Sequence, residues 1–368
     1  MARSWKLAGA FDAGHIRGWT PDFKSELDFH QLEMTGHAQQ LESDYELFRQ
    51  EFGMQMFRDG AWLARSFPGP GKFNWSYLDR LAAISNGEVF LSLCHYEWPS
   101  WITQEQIWNG AVIDFMSEFA GAVAARYHGK FAGYIPVVES GYWVAMMTDW
   151  GRWWPAAGKE RAQAWWKLYS IVGRMLIGIA RAVKAADRGA IIALSEPWAW
   201  HPQVSLADQS RPFATLLGRR DEVAERETGT DQWGGNSSLL QVVGLNFYNN
   251  WGVDQGWPLS RLLLEARAQF PEQRIFMGET GNCHFSDCHT VKSWLELLDE
   301  QVEQANQQGG RIEVVTWAPI LTLGDFDWGK PAPGAMVEWN PEDPKRKRHW
   351  DPEVAKTVRN YANGVSTR

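Results

Sequence analysis

Gly133-Tyr134-Ile135-Pro136-Val137-Val138-Glu139 is apolar on both faces of any strand it forms, and it ends on a carboxylate. Loss of polar alternation marks a parallel strand covered on both sides by helices. Seven further runs share this character: Lys6–Phe11, Met54–Trp62, Val89–His95, Ala190–Glu196, Val242–Tyr248, Arg274–Glu279 and Ile312–Trp317. Between them lie stretches with apolar residues at helical spacing: Gln39–Phe52, Ser76–Ile84, Ala111–Tyr127, Glu160–Ala186, Leu259–Gln269, Val291–Gln308 and Pro352–Tyr361, with Pro212–Glu227 a weaker one. Eight strands alternating with helices predict an α/β fold, a single (β/α)8 barrel over residues 1–368 with extended loops after its strands. A doubly wound sheet needs a compact Gly-rich phosphate turn after its first strand, and Gly9, Gly14 and Gly18 are spaced too widely for it. The irregular stretches are Ser140–Lys159, Trp198–Ser210, Thr228–Ser238 and Leu323–His349. All but the third follow a strand, on the face where barrels carry their sites.

The 368 residues are 45% hydrophobic and 22% charged, a globular mixture with enough apolar mass for one large core. The net charge of −8 disfavours a nucleic-acid partner, whose contact surface is basic. The run Lys345-Arg346-Lys347-Arg348, beside Asp343, is expected to be a solvated turn. Three cysteines, Cys94, Cys283 and Cys288, are too few for a disulfide framework. Met1–Leu7 lacks an apolar leader and no apolar run reaches about 18 residues, so a cytoplasmic protein with no membrane segment is expected. Cys283-His284 and Cys288-His289 have metal-ligating chemistry, but no second set of ligands accompanies them, and no metal or other cofactor is expected. The outlier is tryptophan, with 23 residues. Indole rings fill cores, and they also stack on the C–H face of a pyranose.

Three strand candidates end on glutamate: Glu139 on the fourth, Glu196 on the fifth and Glu279 on the seventh. Glycosidic cleavage uses two carboxyl groups, one protonating the departing oxygen and one attacking the anomeric carbon or activating water. Carboxylates at the C-terminal ends of barrel strands stand where that chemistry is done.

Here the sequence resembles the family 1 glycoside hydrolases, retaining barrel enzymes with the acid/base after strand four and the nucleophile after strand seven. Phe11-Asp12-Ala13-Gly14-His15-Ile16-Arg17-Gly18 is similar to their first segment, which ends in Gln-x-Glu-Gly, with His15 at the sugar-binding Gln. Phe57-Arg58 and Trp62 resemble Tyr-Arg-Phe-Ser-x-x-Trp, and Pro68–Asn74 matches the turn that follows. Cys94-His95-Tyr96-Glu97-Trp98-Pro99 is similar to Tyr-His-Trp-Asp-Leu-Pro, and Tyr134–Glu139 to Trp-Ile-Thr-Phe-Asn-Glu. Gly244-Leu245-Asn246-Phe247-Tyr248, Met277-Gly278-Glu279-Thr280-Gly281, and Trp317 with Asp325-Phe326-Asp327-Trp328 resemble the segments of strands six, seven and eight. Two departures stand out. Val138 replaces the Asn that binds the sugar 2-hydroxyl, leaving Asn249 or Asn282 as substitutes, and Asp327 replaces a Glu that reaches distal hydroxyls. Ser195-Glu196-Pro197 resembles the Asn-Glu-Pro that carries the acid/base elsewhere in the clan, but on strand five it ranks behind Glu139.

The resemblance implies Glu279 as nucleophile, kept charged by Arg58 and positioned by Tyr248, and Glu139 as acid/base among Tyr142, Trp143 and other aromatics. A retaining pair stands about 5–5.5 Å apart. It further implies His15, His95, Asn246 and Asp327 as hydroxyl ligands. Trp317 is the expected stacking platform, with Trp98, Trp143 and Trp328 around the mouth. The expected activity is a retaining β-glycosidase on a carbohydrate substrate. An endo-acting glycanase, a transglycosidase and a non-hydrolytic carbohydrate binder remain alternatives. An ion pair of Arg58 with Asp59 is the competing structural reading for that arginine.

Overall fold

A computed structural model describes residues 3–155, 161–199, 205–230, 232–248, 258–281, 290–332 and 335–364. Eight parallel strands form the central sheet: β1 Lys6–Ala10, β2 Phe57–Gly60, β3 Val89–Ser92, β4 Gly133–Ile135, β5 Ala193–Pro197, β6 Val242–Asn246, β7 Arg274–Thr280 and β8 Ile312–Trp317. Each pairs with its neighbours in sequence, and β1 pairs with β8. The ring closes between β4 and β5, where Tyr134 and Glu139 donate backbone N–H groups at 2.8 Å to the carbonyls of Ile191 and Ser195. The expected barrel is therefore the observed one: six strands lie inside their sequence-derived runs, and Ala193–Pro197 and Arg274–Thr280 overrun theirs by one residue.

Alternation of side chains decides what lies inside. Ala8, Phe90, Ile135, Val138, Ala193, Val242, Phe276 and Val314 form one apolar cluster across the strands, the packed floor of the barrel. One step further along the strands the inward positions turn polar and carry Arg58, Ser195, Asn246 and Glu279. The large outer cluster packs the surrounding helices against the other face of the strands.

Most helices fall where the apolar spacing places them: Leu41–Gln50, Ser76–Ile84, Val112–Arg126, Arg161–Ala186, Leu259–Gln269, Val291–Gln307 and Pro352–Ala362. The expected single helix Pro212–Glu227 is two, Leu206–Leu217 and Glu222–Thr228. Ser205 and Asp208 form a capping box that starts the first of them earlier, and Gly218 in the left-handed region ends it. The stretches expected to be irregular also hold structure. Ser140–Met147 is a helix without a polar face, so its sequence carries no amphipathic signal. His15–Trp19 and Glu26–His30 form an antiparallel hairpin after β1 that the sequence reading did not anticipate.

The basic run near the C-terminus is a solvated turn only in part: Lys345 and Lys347 are exposed, but its last member is not. Arg348 is buried and grips Asp44 through Nε at 2.7 Å and Nη2 at 2.6 Å, while Nη1 donates to the Thr35 carbonyl at 2.8 Å. Asp44 also meets His37 Nδ1 at 2.8 Å, and His37 Nε2 meets Asp59 at 3.2 Å. Tyr45 and Tyr77 each donate to Asp59 at 3.1 Å. This buried latch ties the chain after β8 to the back of β2. Among the described residues, no helix is long and apolar enough to cross a membrane.

Candidate active site

Strand ends bring the two expected carboxylates into one buried region, each with its own hydrogen-bond partners. Arg58 donates through Nη1 to one oxygen of Glu279, and the Tyr248 hydroxyl donates to the other at 2.6 Å. Arg58 therefore pairs with Glu279 and not with Asp59, whose side chain faces the opposite side of the sheet. Between β6 and β7 the register slips at Gly278, so that Asn246 lies opposite Glu279. The extra residue re-aims the strand, as bulges beside active sites do. A Cβ on Gly278 would lie 2.3 Å from Ser195 Oγ and 2.7 Å from Asn246 Oδ1, so only glycine fits.

Glu139 sits at the end of β4 with φ 47°, in the left-handed region that a non-glycine residue enters at a cost of about 1–2 kcal/mol. That turn starts the Ser140–Met147 helix and leaves the carboxyl inside the ring. The Tyr96 hydroxyl donates to one of its oxygens, and Asn246 Nδ2 donates to the other at 2.7 Å. Ser195 Oγ donates to Asn246 Oδ1 at 2.6 Å, which fixes the way the amide faces. Burial, and then the negative charge of Glu279, raise the Glu139 pKa well above its ordinary 4.5, against the lowering effect of Tyr96 and Asn246. Tyr96 itself sits at φ 54°. Thus both members of the Tyr96–Glu139 contact are held in a strained backbone conformation. Tyr96 was visible in the sequence only as the neighbour of His95. Its position after a strand, among aromatics, was the available signal.

Glu196 is buried too, but it is spent on structure. Its oxygens accept from Ser140 N at 2.8 Å, from the Ser140 hydroxyl and from Gly141 N at 3.2 Å, so it caps the helix that follows Glu139. Burial still raises its pKa to about 8.

The other expected ligands are distributed unevenly. His95 is buried beside Arg58, and burial followed by that positive charge lowers its pKa to about 3, which keeps the ring neutral. His95 Nδ1 stands 3.7 Å from Asp12. His15 Nε2 meets Asp28 at 2.8 Å on the hairpin. Trp143 is buried with its ring 4.2 Å from that of Trp98, so its face is already covered. Trp317 is also buried, whereas Trp328 is half exposed. Val138 packs in the barrel floor and offers nothing to a sugar hydroxyl. Asn249, Asn282, Cys283, His284, Cys288 and His289 lie outside the described residues. Among the described residues no group of three or more His, Cys, Asp or Glu side chains is arranged to hold a metal ion.

A roof of aromatic rings covers Glu139. Tyr96 lies 5.0 Å from Trp153, 5.8 Å from Tyr142 and 5.8 Å from Phe326, centroid to centroid. Trp153 is carried by the loop after the Ser140–Met147 helix, which pairs with the hairpin through Trp19 N to Arg152 O and Trp154 N to Arg17 O, both 2.8 Å. Gly18 permits this approach, since a Cβ there would stand 2.1 Å from the Arg152 carbonyl oxygen. Asp327 does not stand alone at the mouth, as it meets Arg152 Nη1 at 2.8 Å.

No family model matches this chain. No curated protein matches its sequence. Solved structures match over nearly its full length. A β-glucosidase from Thermotoga maritima in complex with castanospermine superposes with a TM-score of 0.77 at 14% identity, covering 100% of this chain and 99% of that chain. A Thermotoga maritima family 1 glycoside hydrolase complexed with a cyclophellitol-analogue transition-state mimic gives 0.73 at 13%, covering 98% of each chain. The AHE enzyme from Alicyclobacillus herbarius gives 0.72 at 16%, again over 98% of each. The likeness is one of architecture: this chain has the (β/α)8-barrel fold of the family 1 β-glucosidases.

Proposed function

We propose that the protein is a retaining β-glycosidase, with Glu279 as nucleophile and Glu139 as acid/base. One observation supports this most directly: two buried carboxyl groups feel each other's charge yet have different partners. Glu279 faces the Arg58 guanidinium and the Tyr248 hydroxyl. Glu139 faces no cation in its hydrogen-bond shell, and burial together with the charge of Glu279 favours its protonated form. Such divergence separates nucleophile from acid.

In the first step Glu279 attacks the anomeric carbon, the glycosidic C–O bond breaks, and the Glu139 proton goes to the departing oxygen. Neutralising one carboxylate on glycosylation removes the charge that raised the Glu139 pKa. Glu139, now ionised, takes a proton from water as that water attacks the anomeric carbon, and Glu279 leaves as a carboxylate. Tyr248 keeps Glu279 oriented while its charge is consumed and restored.

The test is trapping with 2-deoxy-2-fluoro glycosyl fluorides of the β-gluco, β-galacto and β-manno series, followed by peptide mass spectrometry. A label on Glu279, with turnover lost in Glu279→Gln, is the expected result. A label on Glu196 would overturn the assignment, and turnover of ordinary glycosides with inversion at the anomeric carbon would overturn the mechanism.

A further inference from the structure

Glu139 occupies the N-cap position of the Ser140–Met147 helix, yet its side chain makes no bond to that helix. The first amides of a helix have no partner within it, and a carboxylate beside them is drawn onto them. Glu139 is spared this because β5 takes the amides instead. Glu139 N donates to the Ser195 carbonyl at 2.8 Å, Ser140 N to Glu196 Oε1 at 2.8 Å, and Gly141 N to Glu196 Oε2 at 3.2 Å. The Ser140 hydroxyl adds a further bond to Glu196, and both side chains are buried. Consecutive residues of one strand end thus hold three consecutive amides of the turn that carries the acid.

The same device recurs beyond β2. Trp62 has φ 48°, is the N-cap of the Leu63–Ser66 helix and makes no side-chain cap. Glu97, beyond β3, is buried and accepts from Leu63 N at 2.9 Å and Ala64 N at 2.6 Å. In both places a left-handed residue follows a strand, and a buried glutamate beside the next strand's end takes the two amides after it. A non-glycine residue in that region costs about 1–2 kcal/mol, so such a turn persists only where its surroundings over-determine it. The difference is what the turn carries. At Trp62 it carries an indole that packs edge-on against Tyr77. At Glu139 it carries the carboxyl that Tyr96 and Asn246 hold.

We propose that Glu196 is the positioning residue of the acid/base: by occupying the Ser140 and Gly141 amides it holds the left-handed turn and leaves the Glu139 carboxyl free for Tyr96, Asn246 and the departing oxygen. This rests on the glycosidase reading and extends it to a second glutamate, one that acts without touching the sugar. Without Glu196, the bare amides and the partial positive charge of the helix N-terminus compete with the mouth for the Glu139 carboxylate. A carboxylate bound to them is turned away from the leaving group and held ionised, the wrong form for an acid.

The test is Glu196→Gln, which keeps the shape but sets an amide N–H2 group against the Gly141 N–H. The experiment compares kcat/KM on phenyl and 2,4-dinitrophenyl glycosides of the β-gluco, β-galacto and β-manno series. Dinitrophenolate departs without a proton, whereas the poorer phenolate leaving group needs one. The expected loss is about 10- to 100-fold on the phenyl substrate and less than about threefold on the dinitrophenyl one. Azide attacks the glycosyl-enzyme without a general base, so it should raise turnover of the dinitrophenyl substrate and yield the β-glycosyl azide. Equal loss on both substrates, the mark of a merely weakened fold, overturns the proposal, as does no loss at all, and either leaves the glycosidase reading standing. Should Glu196→Gln fail to fold, Ser140→Ala decides, since it removes the hydroxyl and keeps both amide bonds. A smaller loss confined to the phenyl substrate supports the proposal, and an equal loss or none overturns it. If the wild type turns over no glycoside, the glycosidase reading fails, and crystal structures of the wild type and the variant decide the positioning. Glu139 drawn onto the freed amide supports it, whereas Glu139 still on Tyr96 and Asn246 overturns it.

Discussion

Arg58 and Asp59 are neighbours on β2, and their side chains leave opposite faces of the same strand. Arg58 enters the barrel mouth and pairs with Glu279. Asp59 enters the latch behind the sheet, where His37, Tyr45, Tyr77 and the Gly60 N–H all reach it. Both regions bury charge, and the difference lies in how completely it is matched. In the latch every carboxylate oxygen has a donor, His37 sits between Asp44 and Asp59, and Arg348 pairs with Asp44. In the mouth a second carboxylate raises the charge cost of the first, backbone residues are strained, and among the described residues the buried indole N–H groups of Trp98, Trp153 and Trp317 have no acceptor. A fully satisfied network specifies one arrangement of the chain, whereas a deficient one is arranged for a partner that has yet to arrive.

The largest expected effect lies on the deficient side. Glu279→Gln keeps an acceptor for Arg58 and Tyr248 but removes the nucleophile, and turnover should fall on the order of 10⁴- to 10⁶-fold. A variant with a tenth of wild-type activity would sink the assignment. The matching cut on the satisfied side is Asp44→Ala, which strands Arg348 as a buried cation and leaves His37 with Asp59 alone. With only Arg348 left without a carboxylate, the change should cost about 3–5 kcal/mol in denaturant unfolding, with kcat per folded molecule little changed. The latch also titrates. Burial alone would lower the His37 pKa, but the charges and hydrogen bonds of Asp59 and Asp44 raise it to about 9. A folded-state pKa raised above 6.5 adds stability that is fully present below that value and is lost as pH rises towards 9 and beyond. Unfolding midpoints across pH 6–10 should fall in the wild type, and this fall should flatten in His37→Gln.

How much of this was legible beforehand follows from the range of each interaction. The strands were legible because burial on both faces is a property of a few adjacent residues. Glu139 and Glu279 were legible because a strand end is a local feature with a known place in a barrel. The Ser140–Met147 helix was not, since burial on all sides removes the periodic signal. The contacts of Arg152 were invisible because one of them reaches a hairpin 133 residues away in sequence. Arg348 was misread for the same reason: its partner Asp44 is 304 residues distant, and a basic run looks alike whether it is solvated or clamped.

The strained contact at Tyr96 sharpens the comparison at a smaller scale. With poor leaving groups, kcat/KM should be lost as pH rises through the raised Glu139 pKa, because the acid must carry its proton. Tyr96 lowers that pKa by hydrogen bonding, so Tyr96→Phe should move the basic limb of the profile upward. It should also reduce kcat by about tenfold through lost orientation of the acid, within the range assigned to acid–base catalysis. A limb that moves down, or stays put, would show that Glu139 is not the group being titrated.

The smallest effect tests the outermost member of the chain that holds the acid. Ser195 touches neither carboxyl group in the mouth, and it acts through Asn246. Without its hydroxyl the Asn246 amide can turn and present Oδ1 to Glu139, which is tolerable while Glu139 is protonated and repulsive once it is ionised. Ser195→Ala should therefore lose about 1 kcal/mol of transition-state positioning, roughly fivefold in kcat/KM, and raise the basic limb slightly. Gly278 supplies an internal control. Its missing side chain leaves room for Ser195 Oγ at 2.3 Å and Asn246 Oδ1 at 2.7 Å, so Gly278→Ala alone should be severely impaired. Ser195→Ala removes the nearer of those two atoms, and the double variant should recover part of the loss. Strict additivity of the two substitutions would mean that Ser195 and Gly278 do not share the space the structure assigns to them, and the relay from Ser195 through Asn246 to Glu139 would have to be abandoned.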